Sequence, residues 1–221
     1  MNAPGWTVLG AVIVSYLLGD ILFAYLVGRF LFGVDVRRYG SGNLGGTNVF
    51  RTLGPLAAIL VVTGDAAKGT LAVWLGGAVS QHSPVVQLLC GIAVIAGHNW
   101  PVLLGFKGGR GIGTSLGVLL GLMPKAVIVP AAAFVLTVAL TRYVSLGSIL
   151  AAVVFPPTVW WLGYPSLYRA GSLILAAFAL YRHIPNMKRL LTGKEFKLGQ
   201  KVEVSGPRPV DGSGPQEGGE R

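Results

Sequence analysis

Long apolar runs, almost free of charge, constrain this chain more than anything else in it. They fall near residues 6–31, 54–80, 84–104, 112–140, 145–163 and 166–182. About twenty apolar residues in a helix cover the hydrocarbon of a bilayer, and each backbone N–H and C=O then finds its partner inside the segment. Hydrophobic residues make up 52% of the chain and charged residues only 12%, too little polar surface for a soluble globule. The sequence predicts an all-α integral membrane protein.

Charge placement sets the number of crossings. The formal charge is +10, and six spans with the first loop cytoplasmic would strand Arg182, Lys188, Arg189, Lys194, Lys197 and Lys201 outside. That opposes the excess of Lys and Arg on cytoplasmic loops. Met123-Pro124-Lys125 divides the 112–140 run, which gives seven transmembrane helices, some short, with the N-terminus outside and the C-terminus cytoplasmic. Arg37, Arg38, Arg51, Lys107, Arg110, Arg142 and the tail cations then face inside, and only Lys125 and Arg169 face outside. The short span 112–122 covers about 17 Å at 1.5 Å per residue, so it needs flanking protein, a thinned bilayer or a re-entrant path. Gly113, Gly117 and Gly121 give it a smooth face for close packing.

Residues 1–202 read as a single polytopic membrane domain. Residues 203–221, rich in Gly, Pro, Ser and Glu, read as a disordered cytoplasmic tail. The apolar stretch from Trp6 lacks a basic start and runs long, as expected of a retained span and not a cleaved signal. Cys90 is the one cysteine, which excludes a disulfide within the chain and cysteine metal sites.

Two glycine-rich, cation-bearing stretches interrupt the apolar pattern: GSGNLGGTNVFR (Gly40–Arg51) and GHNWPVLLGFKGGRGIGTS (Gly97–Ser115). Glycine costs about 1 kcal/mol against alanine inside a helix, so the five glycines from Gly105 to Gly113 do not serve helix stability. Bare N–H groups beside arginine cradle phosphate. Ser41, Asn43, Thr47, Asn48 and Arg51 supply donors in the first stretch, and Asn48 to Arg51 open a helix aimed at the same anion. Lys107 and Arg110 do so in the second. GSGNLG matches a dinucleotide fingerprint in letters only, because a membrane span precedes it where that fingerprint needs a strand.

Carboxylates are scarce. The chain has eight acids, none between residues 66 and 194, whereas magnesium-dependent phosphoryl transfer needs carboxylates beside its phosphates. The expectation is an anion site without a metal or other cofactor. Asp65 and Lys68, three residues apart on one helix face, read as a structural pair. Asp20 lies in the first span with no partner assigned. His98 and Asn99 end a span, and His183 and Asn186 are spaced to share a helical face at the inner end of the last span.

Together these segments resemble the bacterial acyl-phosphate-dependent glycerol-3-phosphate acyltransferases, the PlsY family. YLLGDILFAYLVGR is similar to that family's first span, and GSGNLGGTNVFRTLG to its first motif. GDAAKG follows, then GHNWPVLLGFKGGRGIGTSLG as the second motif, TRYVSLGSI as an inner loop and RHIPNMKRLLTGKE as the third motif. The resemblance runs from about residue 15 to residue 200. It departs at Arg110, where the family usually has lysine, at Gly46 and Gly113 (alanine), at Asp20-Ile21 (serine-proline) and at Pro185 (glutamate). Proline at 185 removes a donor and bends or ends the helix.

The resemblance implies transfer of a fatty acyl group from acyl phosphate to the 1-hydroxyl of glycerol 3-phosphate, giving lysophosphatidic acid and phosphate in the bacterial inner membrane, with the site facing the cytoplasm. It implies Ser41, Arg51, Arg110, His183 and Asn186 as catalytic positions. Gly42, Asn43, Thr47, Asn48, His98, Asn99, Lys107, Gly108, Gly109, Gly111 and Thr114 follow as substrate-binding positions, the Gly108, Gly109 and Gly111 N–H groups helping to hold phosphate. Glu195 matches a family glutamate with a structural role. The proton acceptor is either His183 or substrate phosphate, and Ser41, without an evident base, ranks as a phosphate ligand ahead of a nucleophile. Membrane lipid surrounds the protein and no nucleic acid is expected. Functional links to a soluble acyl-phosphate synthase and a 1-acylglycerol-3-phosphate acyltransferase follow by analogy. A transporter for a phosphorylated metabolite is the rival from another class. A lipid-enzyme scaffold is a third, which the many glycines beside cations make a poor fit.

Overall fold

The computed structural model describes residues 4–200, so residues 203–221 lie outside the described residues. No strand occurs among the described residues, and ten α-helices follow in order. These are α1 (Gly5–Asp20), α2 (Phe23–Leu26, continued as a π-turn to Leu31), α3 (Gly46–Leu53), α4 (Pro55–Ser80), α5 (Pro84–Asn99), α6 (Ile112–Leu122), α7 (Ile128–Thr141), α8 (Val144–Trp161), α9 (Ser166–Arg182) and α10 (Ile184–Leu191). Five helical segments are long and apolar enough to cross a membrane: Gly5–Leu31, Pro55–Ser80, Pro84–Leu104, Pro124–Thr141 and Val144–Trp161. Ile112–Leu122 is apolar but shorter. The fold is an all-helical, multi-pass membrane body.

Local chemistry explains the boundaries. Pro55 and Pro84 open α4 and α5 at positions where a missing N–H costs nothing. The long apolar run breaks after Leu122, where Met123 caps α6 and Pro124 starts a 3₁₀ turn into α7. The first span departs from the sequence reading, because it is broken at Asp20–Leu22. Asp20 points its carboxylate at the Val102 and Leu103 N–H groups, 3.0 and 3.3 Å away. Lys68 Nζ donates to the Gly19 and Ile21 carbonyls at 3.1 and 2.7 Å. Backbone groups freed by the break are therefore paired from neighbouring elements, as an apolar surrounding requires.

Small residues let the helices touch. A Cβ on Gly117 would collide with the Ala66 carbonyl of α4, and one on Gly97 with the Tyr16 carbonyl of α1. Gly113 is looser: an added Cβ would stand 3.1 Å from the Asp65 Cβ. Gly113→Ala is expected to keep the midpoint of thermal unfolding within what about 1 kcal/mol produces, because the helix-propensity gain offsets the tight contact. A large drop in that midpoint would show that α6 cannot shift by tenths of an ångström. The close α4–α6 contact fixes the glycine loop that leads into α6, and with it Arg110.

Candidate active site

A cavity of about 400 Å³ joins the two glycine-rich stretches to the helical interior. At one end it is bounded by Asn43, Gly45, Gly46, Thr47 and Arg51 from the first stretch and by Arg110, Gly111 and Gly113 from the second. His98, His183 and Glu195 also reach this end. The first turns of α3 and α6 both open here, and a helix leaves its first N–H groups without intrahelical partners and partly positive. The other end is apolar, walled by side chains of α6, α7, α8 and α9, among them Leu119, Pro130, Phe155 and Leu175.

Positive charge is in surplus at the polar end. Burial and the nearby Arg189, Arg51 and Arg182 guanidiniums bring the Arg110 pKa down to about 10 against an upward pull from Glu195, which still leaves it charged near neutrality. No hydrogen bond or ion pair among the described residues engages it. Arg51 is buried, 6% exposed. It donates to the Phe196 carbonyl at 3.1 Å, lies over the Phe196 ring, and leaves its Nε unpartnered. Burial and Arg189 lower its pKa while Glu195 opposes them. Guanidiniums held this way are prepared for an anion that is not protein.

Glu195 is the balancing hub. Its Oε1 accepts from Ser145 Oγ at 3.0 Å and from Asn186 Nδ2 at 2.8 Å, and its Oε2 pairs with Arg189 Nε at 2.7 Å. His183 and Asn186 do not share one helix. His183 ends α9 and caps α10, with Pro185 in the first turn of the new helix, so the proline ends the helix between them. His183 Nδ1 faces the Ala179 carbonyl at 2.7 Å. A carbonyl only accepts, so that nitrogen carries the proton and Nε2 keeps its lone pair. Burial, with Arg110 and Arg182, holds the imidazole at about 4 against pulls from the Ala179 carbonyl and Glu195 in the other direction.

That depression has a sign. The unfolded chain takes up the His183 proton first as pH falls, so the stability due to the neutral ring is complete above pH 6.5 and is lost as pH drops toward 4. Between those limits the loss approaches about 1.4 kcal/mol per pH unit. Wild-type protein is expected to lose thermal stability between pH 7 and pH 5 more steeply than His183→Gln; parallel losses would disprove the depressed ring.

Other positions singled out from the sequence fall elsewhere. Asn48 is fully occupied: its Oδ1 accepts from Ser41 N and Oγ, and its Nδ2 donates to the Val36 and Tyr39 carbonyls. It therefore locks the loop and has nothing left for a substrate. Ser41 and Gly42 lie in that loop, beside the cavity lining and not in it. Gly109 spends its N–H on the His98 carbonyl, and Arg182 holds the Gly108 and Gly109 carbonyls, so Gly109 has no free donor for phosphate. Lys107 is exposed at the loop tip. Asn99 and Thr114 are buried with unpartnered side-chain atoms behind the loop, and Asn186 Oδ1 is likewise unpartnered.

Asp65 pairs with Lys68 at 2.9 Å and lies 3.4 Å from His98 Nδ1, and both Asp65 and His98 reach the cavity wall. Beyond Glu195, the segment after α10 was not foreseen as part of the site. It supplies the Phe196 contact, and Leu198 exchanges hydrogen bonds with Arg142. Nothing local marks Phe196 or Ser145, since both matter only through residues distant in sequence.

The described residues thus form a helical membrane body with a cleft that is lined by arginines at one end and by apolar side chains at the other. A glycerol-3-phosphate acyltransferase family model matches residues 9–193, and the chain belongs to the glycerol-3-phosphate acyltransferase family, of the PlsY kind. The glycerol-3-phosphate acyltransferase of Thermoanaerobacter sp. (strain X514) is 44% identical over 201 residues, 90% of this chain and 99% of that one. Glycerol-3-phosphate acyltransferase 2 of Moorella thermoacetica (strain ATCC 39073 / JCM 9320) is 46% identical over 191 residues, covering 86% and 97%. The crystal structure of PlsY (YgiH), an integral membrane glycerol 3-phosphate acyltransferase, in its glycerol 3-phosphate form superposes with a TM-score of 0.82 at 36% identity, covering 87% of this chain and 96% of that one. Its lysophosphatidic acid form gives 0.80 at 35% identity over the same shares.

Proposed function

We propose that the chain moves a fatty acyl group from acyl phosphate to the 1-hydroxyl of glycerol 3-phosphate, releasing lysophosphatidic acid and inorganic phosphate. The observation that carries this is a cavity whose arginine-bearing end continues into an apolar cleft. One substrate has an acyl tail and both have phosphate, so a shared cavity needs both kinds of wall. Arg51, Arg110 and the opening turns of α3 and α6 hold phosphate, with Ser41, Asn43 and Thr47 beside them. The acyl tail lies between α6, α7, α8 and α9.

In the reaction the 1-hydroxyl oxygen bonds to the acyl carbon and the bond from that carbon to the phosphate oxygen breaks. The electron pair leaves with phosphate, a good leaving group from a mixed anhydride. Donors at the two helix starts and Arg110 are suited to the charge that develops on the acyl oxygen. The hydroxyl proton goes to His183 Nε2 or to a substrate phosphate oxygen. A bound dianion offsets the Arg110 charge that depresses His183, which makes the ring more basic when substrate is present.

The chain is assigned seven crossings, with the N-terminus outside and the site on the cytoplasmic face of the bacterial inner membrane. Arg51, Arg142 and Glu195 share one end of the bundle through Phe196, Leu198 and Ser145, whereas Lys125 lies at the α6–α7 junction. That distribution agrees with cations on the cytoplasmic side. Residues 1–202 act as one domain. A soluble acyl-phosphate synthase upstream and a 1-acylglycerol-3-phosphate acyltransferase downstream fit this substrate and product.

Purified protein in lipid, given acyl phosphate and glycerol 3-phosphate, is expected to release phosphate and form lysolipid in equal amounts. Uptake into sealed vesicles without lysolipid would establish a transporter instead. Among the described residues no cluster of His, Cys, Asp and Glu is placed to hold a metal ion. Chelator is accordingly expected to leave the rate unchanged, and strong inhibition by it would require a metal in the mechanism.

A further inference from the structure

We propose that Phe155 sets the length of acyl chain that the cleft accepts, an inference that rests on the acyl-transfer reading above. The basis is a gradient of side-chain size along the α8 and α9 walls of the cleft; the facing α6 and α7 walls carry Leu116, Leu119 and Phe134 and show no such gradient. On α8, moving away from Glu195, the residues that line it are Val144 at the mouth, then Ser145, Ser148, Ala151 and Ala152, and then Phe155. On α9 the same order holds in reverse sequence direction, with Ala179 and Ala176 ahead of Leu175. Small side chains leave a channel, and the first ring along α8 closes it.

Phe155 is 4% exposed and packs with Met123, Ala126, Val159 and Leu175 in the largest buried cluster of the bundle. Val159, one turn deeper on α8, is fully buried and does not line the cleft. One side of the Phe155 ring thus faces the cavity and the other is backed by dense core, which makes a floor that cannot yield cheaply. Ser145 to Phe155 spans about 15 Å at 1.5 Å per residue. A chain whose phosphate is held at Arg51 and Arg110 runs along this length and ends against the ring. Its competitor is lateral escape into lipid past α7, which packs on α8 and is mostly exposed along its length.

The test is kcat/KM for a series of straight-chain acyl phosphates from decanoyl to octadecanoyl, with saturating glycerol 3-phosphate and protein in lipid. Phe155→Ala is expected to move the optimum to longer chains, and Ala151→Phe, one turn nearer the phosphate, to shorter ones. Each is expected to change the ratio between neighbouring chain lengths by about ten-fold, the low end of what the fit of a methylene contributes in an apolar pocket. Ala151 is partly exposed at the cavity wall, so Ala151→Phe fills existing space and decides the matter if Phe155→Ala does not fold. Unchanged length profiles with activity intact overturn the proposal and indicate lateral escape. Failure of wild-type protein to use any acyl phosphate overturns the acyl-transfer reading itself.

Discussion

Arg51→Ala is expected to lower kcat/KM by roughly 10²- to 10⁴-fold while leaving the protein folded. The guanidinium sits at the polar end of the cavity with a buried, unpartnered Nε and only the Phe196 carbonyl as a hydrogen-bond acceptor. A hydrogen bond involving a charged group contributes about 1.5–3 kcal/mol, and a forked pair to phosphate supplies two. At about 1.4 kcal/mol per factor of ten, their loss gives that range. Stability moves differently. Removing Arg51 relieves repulsion on Arg110 and the burial of a charge, but gives up its attraction to Glu195 and its Phe196 contacts, so the unfolding temperature is expected to change little. Arg51→Lys keeps the charge without the fork and falls between the two. A rate near wild type for Arg51→Ala would remove this residue from phosphate binding.

Lys68→Met is expected to cost about 3–5 kcal/mol of stability, the usual penalty for stranding one partner of a buried ion pair. Lys68 is 3% exposed, and its ammonium meets Asp65, the Gly19 and Ile21 carbonyls and His98 Nδ1. Methionine fills a similar volume but leaves the Asp65 charge and the carbonyls of the broken first span unanswered. Lys68→Met with Asp65→Asn is expected to regain part of the loss, because the buried charge then disappears from both partners. Cys90, fully buried and the one cysteine of the chain, provides a thiol that reacts only on unfolding, so its unmasking temperature measures both variants. Equal unmasking temperatures for wild type and Lys68→Met would refute the penalty.

Much of the site was legible because its parts are local. Glycines beside Arg51 and Arg110 raise the expectation of an anion site, and both arginines line one cavity. The Asp65–Lys68 pair follows from helical spacing alone and stands at 2.9 Å. Spacing misled at His183 and Asn186, because Pro185 starts a new helix between residues that periodicity would stack. Nor does sequence show that the Asn48 side chain is spent on Ser41, Val36 and Tyr39, or that the Gly109 N–H is spent on the His98 carbonyl at the end of α5. Donors in a glycine loop look alike in sequence, and only the folded loop decides which remain free.

Asp20 shows the same limit from the other direction. Within its span it is an unpaired acid, and its partners are the Val102 and Leu103 N–H groups, eighty-odd positions further on. The sequence by itself determined the membrane-embedded helical body and the likeness to a glycerol-3-phosphate acyltransferase, since hydropathy and motif order act over short stretches of chain. Tertiary structure decided the rest. Whether a cation is free, a donor is spent or a cleft has a floor depends on which distant helices meet, and burial makes each such meeting an energetic necessity in a medium without water.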